Sequence, residues 1–198
     1  MNNKDWTGNH KSTFTSLGAS SHALTEREEH DYYATEPRAI ELLLEQESFS
    51  NVWECACGTG HLAKVLESRG LLGKATDLID RGYATGGVDF IRSWDKWDGD
   101  IITNPPYKYT ETFVERALDI IPTGRKVAMF IGIQFLEGKK RKTFLERNNI
   151  KTVYVSSSRL NCAKNGDFTT YSGNSARCYA WYVWEKGFIG DTTLKWIN

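Results

Sequence analysis

The sequence predicts an α/β fold: a doubly wound, mostly parallel, seven-stranded sheet. Three observations predict it. Short apolar runs alternate with stretches of helical period through most of the chain. A glycine turn, Gly58-Thr59-Gly60, separates one such run from one such helix. Glu54, Asp77, Asp89 and Asn104 each stand where an apolar run ends, and open parallel sheets bind ligands at the carboxyl ends of their strands.

Residues 1–30 are polar, rich in Ser, Thr and Asn, and follow neither period, so a flexible N-terminal arm is expected. Trp6 and Phe14 would let it order over a bound ligand. Residues 31–198 are expected to form a single domain. Pro37 suits the first position of a helix whose apolar face is Ile40, Leu43 and Leu44 and which ends near Glu47. Residues 51–55 read as a strand, and Leu62, Val65 and Leu66 mark a helix over 61–69. Strands are expected at 74–78, 88–90 and 101–104, then an amphipathic helix over 111–121. Residues 126–133 are apolar enough for a strand buried on both faces. A helix over 139–148 and strands at 152–155 and 179–184 complete the pattern. The last two strands flank a loop, 160–177, that carries Phe168 and Tyr171 among Gly, Ser, Asn and Thr.

The 198 residues suffice for a full core. With 40% hydrophobic and 25% charged residues, the composition is that of a soluble globular protein. No apolar stretch approaches the roughly 20 residues of a membrane span, and no apolar signal core opens the chain, so a cytoplasmic protein is expected. Cys55, Cys57, Cys162 and Cys178 match no zinc spacing, and the four histidines show no ligand spacing, so no metal is expected. Formal net charge is zero, but its distribution is uneven. Between Lys139 and Lys164 eight basic residues face one acid, Glu146. Such a patch suits phosphate neutralisation, and would make binding salt-dependent; it also suits an ordinary solvated helix face.

The turn after the 101–104 run reads Asn104-Pro105-Pro106-Tyr107. A conjugated amine is a poor nucleophile because its lone pair is delocalised. An enzyme that alkylates it must hold both N–H bonds so that the lone pair points at the electrophile. Asn104 offers a side-chain oxygen, Pro105 a carbonyl and Tyr107 a flat face. The prolines stiffen the turn and keep Asn104 extended. Gly58, Gly60 and Ala63 also fit the dinucleotide fingerprint G-x-G-x-x-A, which raises a nicotinamide dehydrogenase as an alternative. Asp77 suits a ribose diol in either case. The Asn-Pro-Pro-Tyr turn discriminates, because hydride transfer has no need of two acceptors and a stacking ring.

Glu54-x-x-x-Gly58-x-Gly60, Asp77, Asp89-Phe90 and Asn104-Pro105-Pro106-Tyr107 together resemble the class I S-adenosylmethionine-dependent amino-methyltransferases, whose fold is Rossmann-like. Asp31-Tyr32-Tyr33-Ala34-Thr35-Glu36-Pro37, the segment from Gln134 to Lys139, and that from Ala180 to Gly187 are most similar to N6-adenine DNA methyltransferases of bacteriophages and prophages. The resemblance implies Glu54, Gly58 and Gly60 at the methionine of the cofactor, Asp77 at the ribose, Asp89 and Phe90 at the adenine, and Thr35 near the methionine carboxylate. It adds Tyr33, Cys55, Cys57, Leu78 and Asn104 to that cofactor site. It makes Asn104, Pro105, Pro106 and Tyr107 catalytic, with a loop aromatic, Phe168, opposite Tyr107 on a flipped base; the charge distribution puts Lys139, Lys140 and Arg141 on DNA. RNA, or a glutamine of a protein, is a less expected substrate, and a cofactor-binding module without catalysis is the alternative. The chain departs from many relatives in reading Glu-Cys-Ala-Cys for Asp-Pro-x-Cys, and it leaves no room for a separate target-recognition domain.

Overall fold

A computed structural model describes residues 32–164, 166, 168 and 177–198; the arm expected over 1–30 and Tyr171 lie outside the described residues. Seven strands form one sheet in the order β3-β2-β4-β5-β8-β6-β9. They are β2 (Val52–Glu54), β3 (Leu72–Ala75), β4 (Ile101–Thr103), β5 (Lys126–Gly132), β6 (Thr152–Ser156), β8 (Tyr179–Glu185) and β9 (Thr193–Ile197). β3, β2, β4 and β5 run parallel, as do β6 and β9, while β8 is antiparallel to both its neighbours. β1 (Tyr33–Thr35) and β7 (Cys162–Lys164) form a separate antiparallel ribbon. The helices are α1 (Pro37–Gln46), α2 (His61–Ser68), α3 (Thr110–Ile120) and α4 (Lys139–Arg147).

Strand alternation divides the apolar residues between two cores. Ile101, Val127, Met129, Tyr182 and Trp184 pack with Phe113, Val114 and Ala117 of α3 and Phe144 of α4. Ile102, Ala128, Phe130, Trp181 and Val183 pack with Ile40 and Leu43 of α1 and Leu62 and Leu66 of α2. Both faces are therefore covered, which is why β5 and β8 read as continuous apolar runs rather than as alternating ones. Trp181 buries its indole fully and donates its N–H to the Ala39 carbonyl at 2.7 Å. Glu47, just past α1, clamps two strands. It accepts from Lys126 Nζ at 2.5 Å and from the Tyr154 hydroxyl at 2.6 Å.

Three expectations need correction. Residues 88–90 are not a strand. Asp89 turns the chain there, its Oδ1 accepting from the Ile91 N–H at 3.0 Å and its carbonyl from the Ser93 N–H at 2.8 Å. The seventh strand is instead β9, an edge strand whose residues are exposed except for Ile197. The strand expected at 74–78 begins earlier and ends at Ala75, leaving Asp77 in the following turn. β1 and β7 were not foreseen. Each has three residues, too few for a period to show.

Among the described residues no helix is long and apolar enough to cross a membrane, and no group of three His, Cys, Asp or Glu side chains could hold a metal ion.

Candidate active site

After β2 the chain crosses outward to β3, then returns to β4 on the other side of β2. This reversal leaves a crevice between the carboxyl ends of β2 and β4, the usual ligand position in such sheets. Glu54 is the last residue of β2, and Asn104 follows the last residue of β4. Both line a cleft of about 1210 Å³.

The turn after β2 needs its glycines. Gly58 has φ 55° and Gly60 φ 85°, in the left-handed region where a Cβ is costly. A Cβ on Gly58 would lie 2.2 Å from the Tyr32 ring, and one on Gly60 2.5 Å from the Tyr83 ring. Asp77 braces the turn, its Oδ2 accepting from the Gly58 N–H and its Oδ1 from the Ile79 N–H, both at 2.8 Å. Tyr32 lies across the same turn. Its hydroxyl meets Thr59 Oγ1 at 2.6 Å and accepts from the Thr59 N–H at 3.1 Å, while the Arg81 guanidinium lies over its ring at 4.1 Å.

Glu54 is 1% exposed. Its Oε1 accepts from the Ala56 N–H at 3.3 Å, and its Oε2 has no partner among the described residues. Burial pushes its pKa up to about 8, and the Asp77 carboxylate adds to the rise. The Ala56 N–H and Thr103 oppose it, Thr103 through a contact outside ordinary hydrogen-bond geometry. Burial likewise keeps Cys55 and Cys57 as thiols, Cys57 at about 12.

Asn104 is held by one end of its carboxamide. Nδ2 donates to the Tyr33 carbonyl at 3.0 Å and to Thr35 Oγ1 at 2.9 Å, with Cys162 Sγ at 3.7 Å. A backbone carbonyl can only accept, so the nitrogen must face Tyr33. Oδ1 is buried and has no partner among the described residues. Burial raises the pKa of Cys162 to about 11, so this contact too is a neutral thiol.

Tyr107 belongs to an aromatic cluster. Its ring stacks on Tyr33 with centroids 5.9 Å apart and 22° between planes. Its hydroxyl donates to the Tyr179 hydroxyl at 3.0 Å, and Tyr179 stacks in turn on Phe130. The Arg177 guanidinium lies 5.7 Å from the Tyr107 ring centre, and Arg177 lines the cleft.

The cleft brings together Tyr33, Thr35, Glu54, Cys55, Cys57, Asp77, Leu78, Asp89, Phe90 and Asn104 through Tyr107. Gly58 and Gly60 lie just beyond, in the braced turn. Phe90 serves the core as well, packing edge-on to Trp53 and against Phe113. Other expected residues lie elsewhere. Phe168 packs edge-on to His61 at 5.2 Å and does not line the cleft. Lys139 and Lys140 are exposed at the start of α4. Arg141 folds inward, donating to the carbonyls of Gln134, Phe135 and Glu137 at 2.8–3.2 Å and pairing with Glu111 at 3.4 Å. Glu111 adjoins Thr112, which lines the cleft, whereas no residue of α4 does. The basic segment is also less cationic than it reads, because Glu115, Glu146 and Glu185 pair with Arg147, Lys142 and Lys151. Sequence reasoning missed Tyr32, Arg81, Cys162, Arg177 and Tyr179. Only the Tyr32-Tyr33 pair ahead of Thr35 offered a signal.

No protein-family model matches the chain, and no curated protein matches its sequence. Solved structures do match its fold. A protein of Listeria monocytogenes, assigned as a class I S-adenosylmethionine-dependent methyltransferase, superposes with a TM-score of 0.54 at 14% identity, over 81% of this chain and 62% of that one. This chain thus spans less than two thirds of that protein. A predicted O-methyltransferase of Agrobacterium tumefaciens gives 0.55 at 12% identity, over 81% and 85%. The N-methyltransferase NodS of Bradyrhizobium japonicum, solved with S-adenosyl-L-homocysteine, gives 0.51 at 11% identity, over 76% and 86%. The chain has the Rossmann-like fold of class I methyltransferases.

Proposed function

We propose that this protein transfers a methyl group from S-adenosylmethionine to the exocyclic N6 amine of an adenine flipped out of DNA. One observation carries the reading: Asn104 is pinned through its nitrogen, and its oxygen, which lacks a partner among the described residues, is an acceptor at the cleft. An amine that must be turned to expose its lone pair needs such an acceptor.

The residues fit the cofactor. Glu54 Oε2, which lacks a partner among the described residues, suits its ammonium group. The Asp77 oxygens each keep a lone pair for a ribose hydroxyl beyond their bonds to Gly58 and Ile79. When bound, S-adenosylmethionine supplies an electrophilic methyl on sulfur. Asn104 Oδ1 accepts one N6 hydrogen and the Pro105 carbonyl the other, and the lone pair is held towards that methyl. Taking the methyl as the methyl–sulfur bond breaks, with that electron pair returning to sulfur, the amine would become cationic and acidic, so its proton would leave to water without a strong base, which suits the neutrality of Asn104. Tyr107 offers a stacking face, worth about 1–3 kcal/mol per base, against an unstacking cost of a few kcal/mol. The choice of adenine in DNA rests on the resemblance of the Asn104–Tyr107 turn and its companion segments to phage enzymes, and on the exposed Lys139 and Lys140 at the start of α4.

Methyl transfer from labelled cofactor to DNA, RNA and protein, followed by nucleoside and amino-acid analysis, tests the reading. 6-Methyladenine in DNA is the expected product. Label in RNA or in glutamine would move the substrate. Cofactor binding without transfer would leave a non-catalytic module, and tight NADH binding with none of S-adenosylmethionine would end the proposal.

A further inference from the structure

The ribbon of β1 and β7 packs on the turn after β4, where Cys162 Sγ of β7 lies 3.7 Å from Asn104 Nδ2. The Tyr33 ring stacks on Tyr107, the Tyr33 carbonyl accepts from Asn104, and Thr35 Oγ1 accepts from Asn104. A carboxamide nitrogen has two hydrogens. Those of Asn104 are used by the acceptors at 3.0 and 2.9 Å. With both engaged, the amide cannot flip without losing two hydrogen bonds and facing its oxygen to a carbonyl. Thr35 is 2% exposed. It sits opposite Cys162 in the ribbon register, with their Oγ1 and Sγ 3.9 Å apart. Its hydroxyl is thereby committed to the Asn104 side of the ribbon.

We propose that Thr35 is a positioning residue for Asn104: its hydroxyl, presented by the β1–β7 ribbon, fixes the carboxamide with Oδ1 towards the target amine. This rests on the reading of Asn104 as the amine acceptor. It differs from a contact to the cofactor carboxylate, the role that the sequence resemblance implies for Thr35. A flipped carboxamide would set an N–H against the N–H of the substrate, so Thr35 governs the methyl-transfer step rather than cofactor capture.

Thr35→Val keeps the shape and removes the acceptor, whereas Thr35→Ser keeps it. At saturating cofactor, Thr35→Val is expected to slow single-turnover transfer by roughly 10- to 100-fold, with cofactor Kd changed by less than about threefold. Thr35→Ser should restore most of the rate, and Thr35→Val added to Asn104→Ala should cost little more. A cofactor Kd raised about tenfold with an unchanged saturated rate would overturn the proposal, as would a serine variant as slow as the valine one. A second measurement needs no activity. The Asn104 side-chain NH2 signals in a 15N spectrum, identified by their loss in Asn104→Ala, should shift and exchange faster with water in Thr35→Val, with the backbone spectrum otherwise retained. Unchanged NH2 signals would overturn the proposal even if wild-type protein methylated nothing, a result that would by itself end only the reading of Asn104.

Discussion

At the scale of single residues, two buried polar atoms without partners mark the site. Asn104 Oδ1 and Glu54 Oε2 are both enclosed and unsatisfied among the described residues, a state that costs about 1–3 kcal/mol each unless a ligand completes it. For Asn104 the expected outcome of substitution by alanine is a loss on the chemical step, of order 100-fold or more in single-turnover rate, with the fold retained and cofactor affinity little changed. Methyl transfer near the wild-type rate would remove the central claim. Tyr107→Phe should keep most activity, since stacking needs the ring, and the hydroxyl that is lost bonds to Tyr179 and Cys162 rather than serving as the stacking face. Glu54 carries a prediction about protons. Its pKa of about 8 leaves it mostly protonated at pH 7. An ammonium group against it would pull that value down, so binding of S-adenosylmethionine at pH 7 should release close to one proton. Calorimetry in buffers of different ionisation enthalpy measures this, and zero proton release would place the ammonium elsewhere. Asn104 was legible as a candidate because Pro105, Pro106 and Tyr107 follow it directly in sequence. The orientation of its amide was not, because the partners that set it, Tyr33, Thr35 and Cys162, are distant in sequence.

At the scale of elements, the glycine turn and α4 behave differently from each other. Gly60→Ala combines a left-handed φ of 85° with a Cβ placed 2.5 Å from the Tyr83 ring. The conformation alone costs about 1–2 kcal/mol, so if the turn shifts to relieve it, cofactor affinity is expected to fall by roughly 5- to 30-fold, as titration calorimetry would show. In α4, sequence proximity misleads. Lys139, Lys140 and Arg141 read as one cluster, yet Arg141 is spent on the carbonyls of Gln134, Phe135 and Glu137 and on Glu111. Reversing Lys139 and Lys140 to Glu should weaken DNA binding and flatten its log-affinity against log-salt slope, by about 0.9 for each phosphate that is no longer neutralised. Arg141→Ala should instead lower the unfolding midpoint. An unchanged slope in the double reversal would mean that this end of α4 does not meet the substrate. The strands β2, β4, β5 and β8 were legible because both-sided burial makes each an apolar run. β9 was not, since an edge strand with exposed Leu194 and Trp196 carries no burial pattern.

For the whole molecule, stability and ligand binding pull against each other at Glu54. Below pH 4.5 both the folded and the unfolded chain hold its proton, and its contribution to stability is complete. Between 4.5 and about 8 the unfolded chain releases the proton first, so stability falls with rising pH. At about 1.4 kcal/mol per pH unit this amounts to roughly 5 kcal/mol. Glu54→Gln is therefore expected to match the unliganded wild type near pH 4.5 and exceed it at pH 8, in urea melts, while losing cofactor affinity; parallel stability profiles would refute the buried, protonated carboxyl. The sequence by itself determined the alternation that builds the sheet, the glycine turn, and the proline-stiffened turn at Asn104–Tyr107, because each depends on residues adjacent in the chain. Only the tertiary structure decided which strands lie at the sheet's edge, that Arg141 turns inward, that Phe168 sits on His61, and that a ribbon of two short strands sets the Asn104 amide. Those outcomes depend on interactions between segments far apart in sequence, whose energies no local pattern encodes.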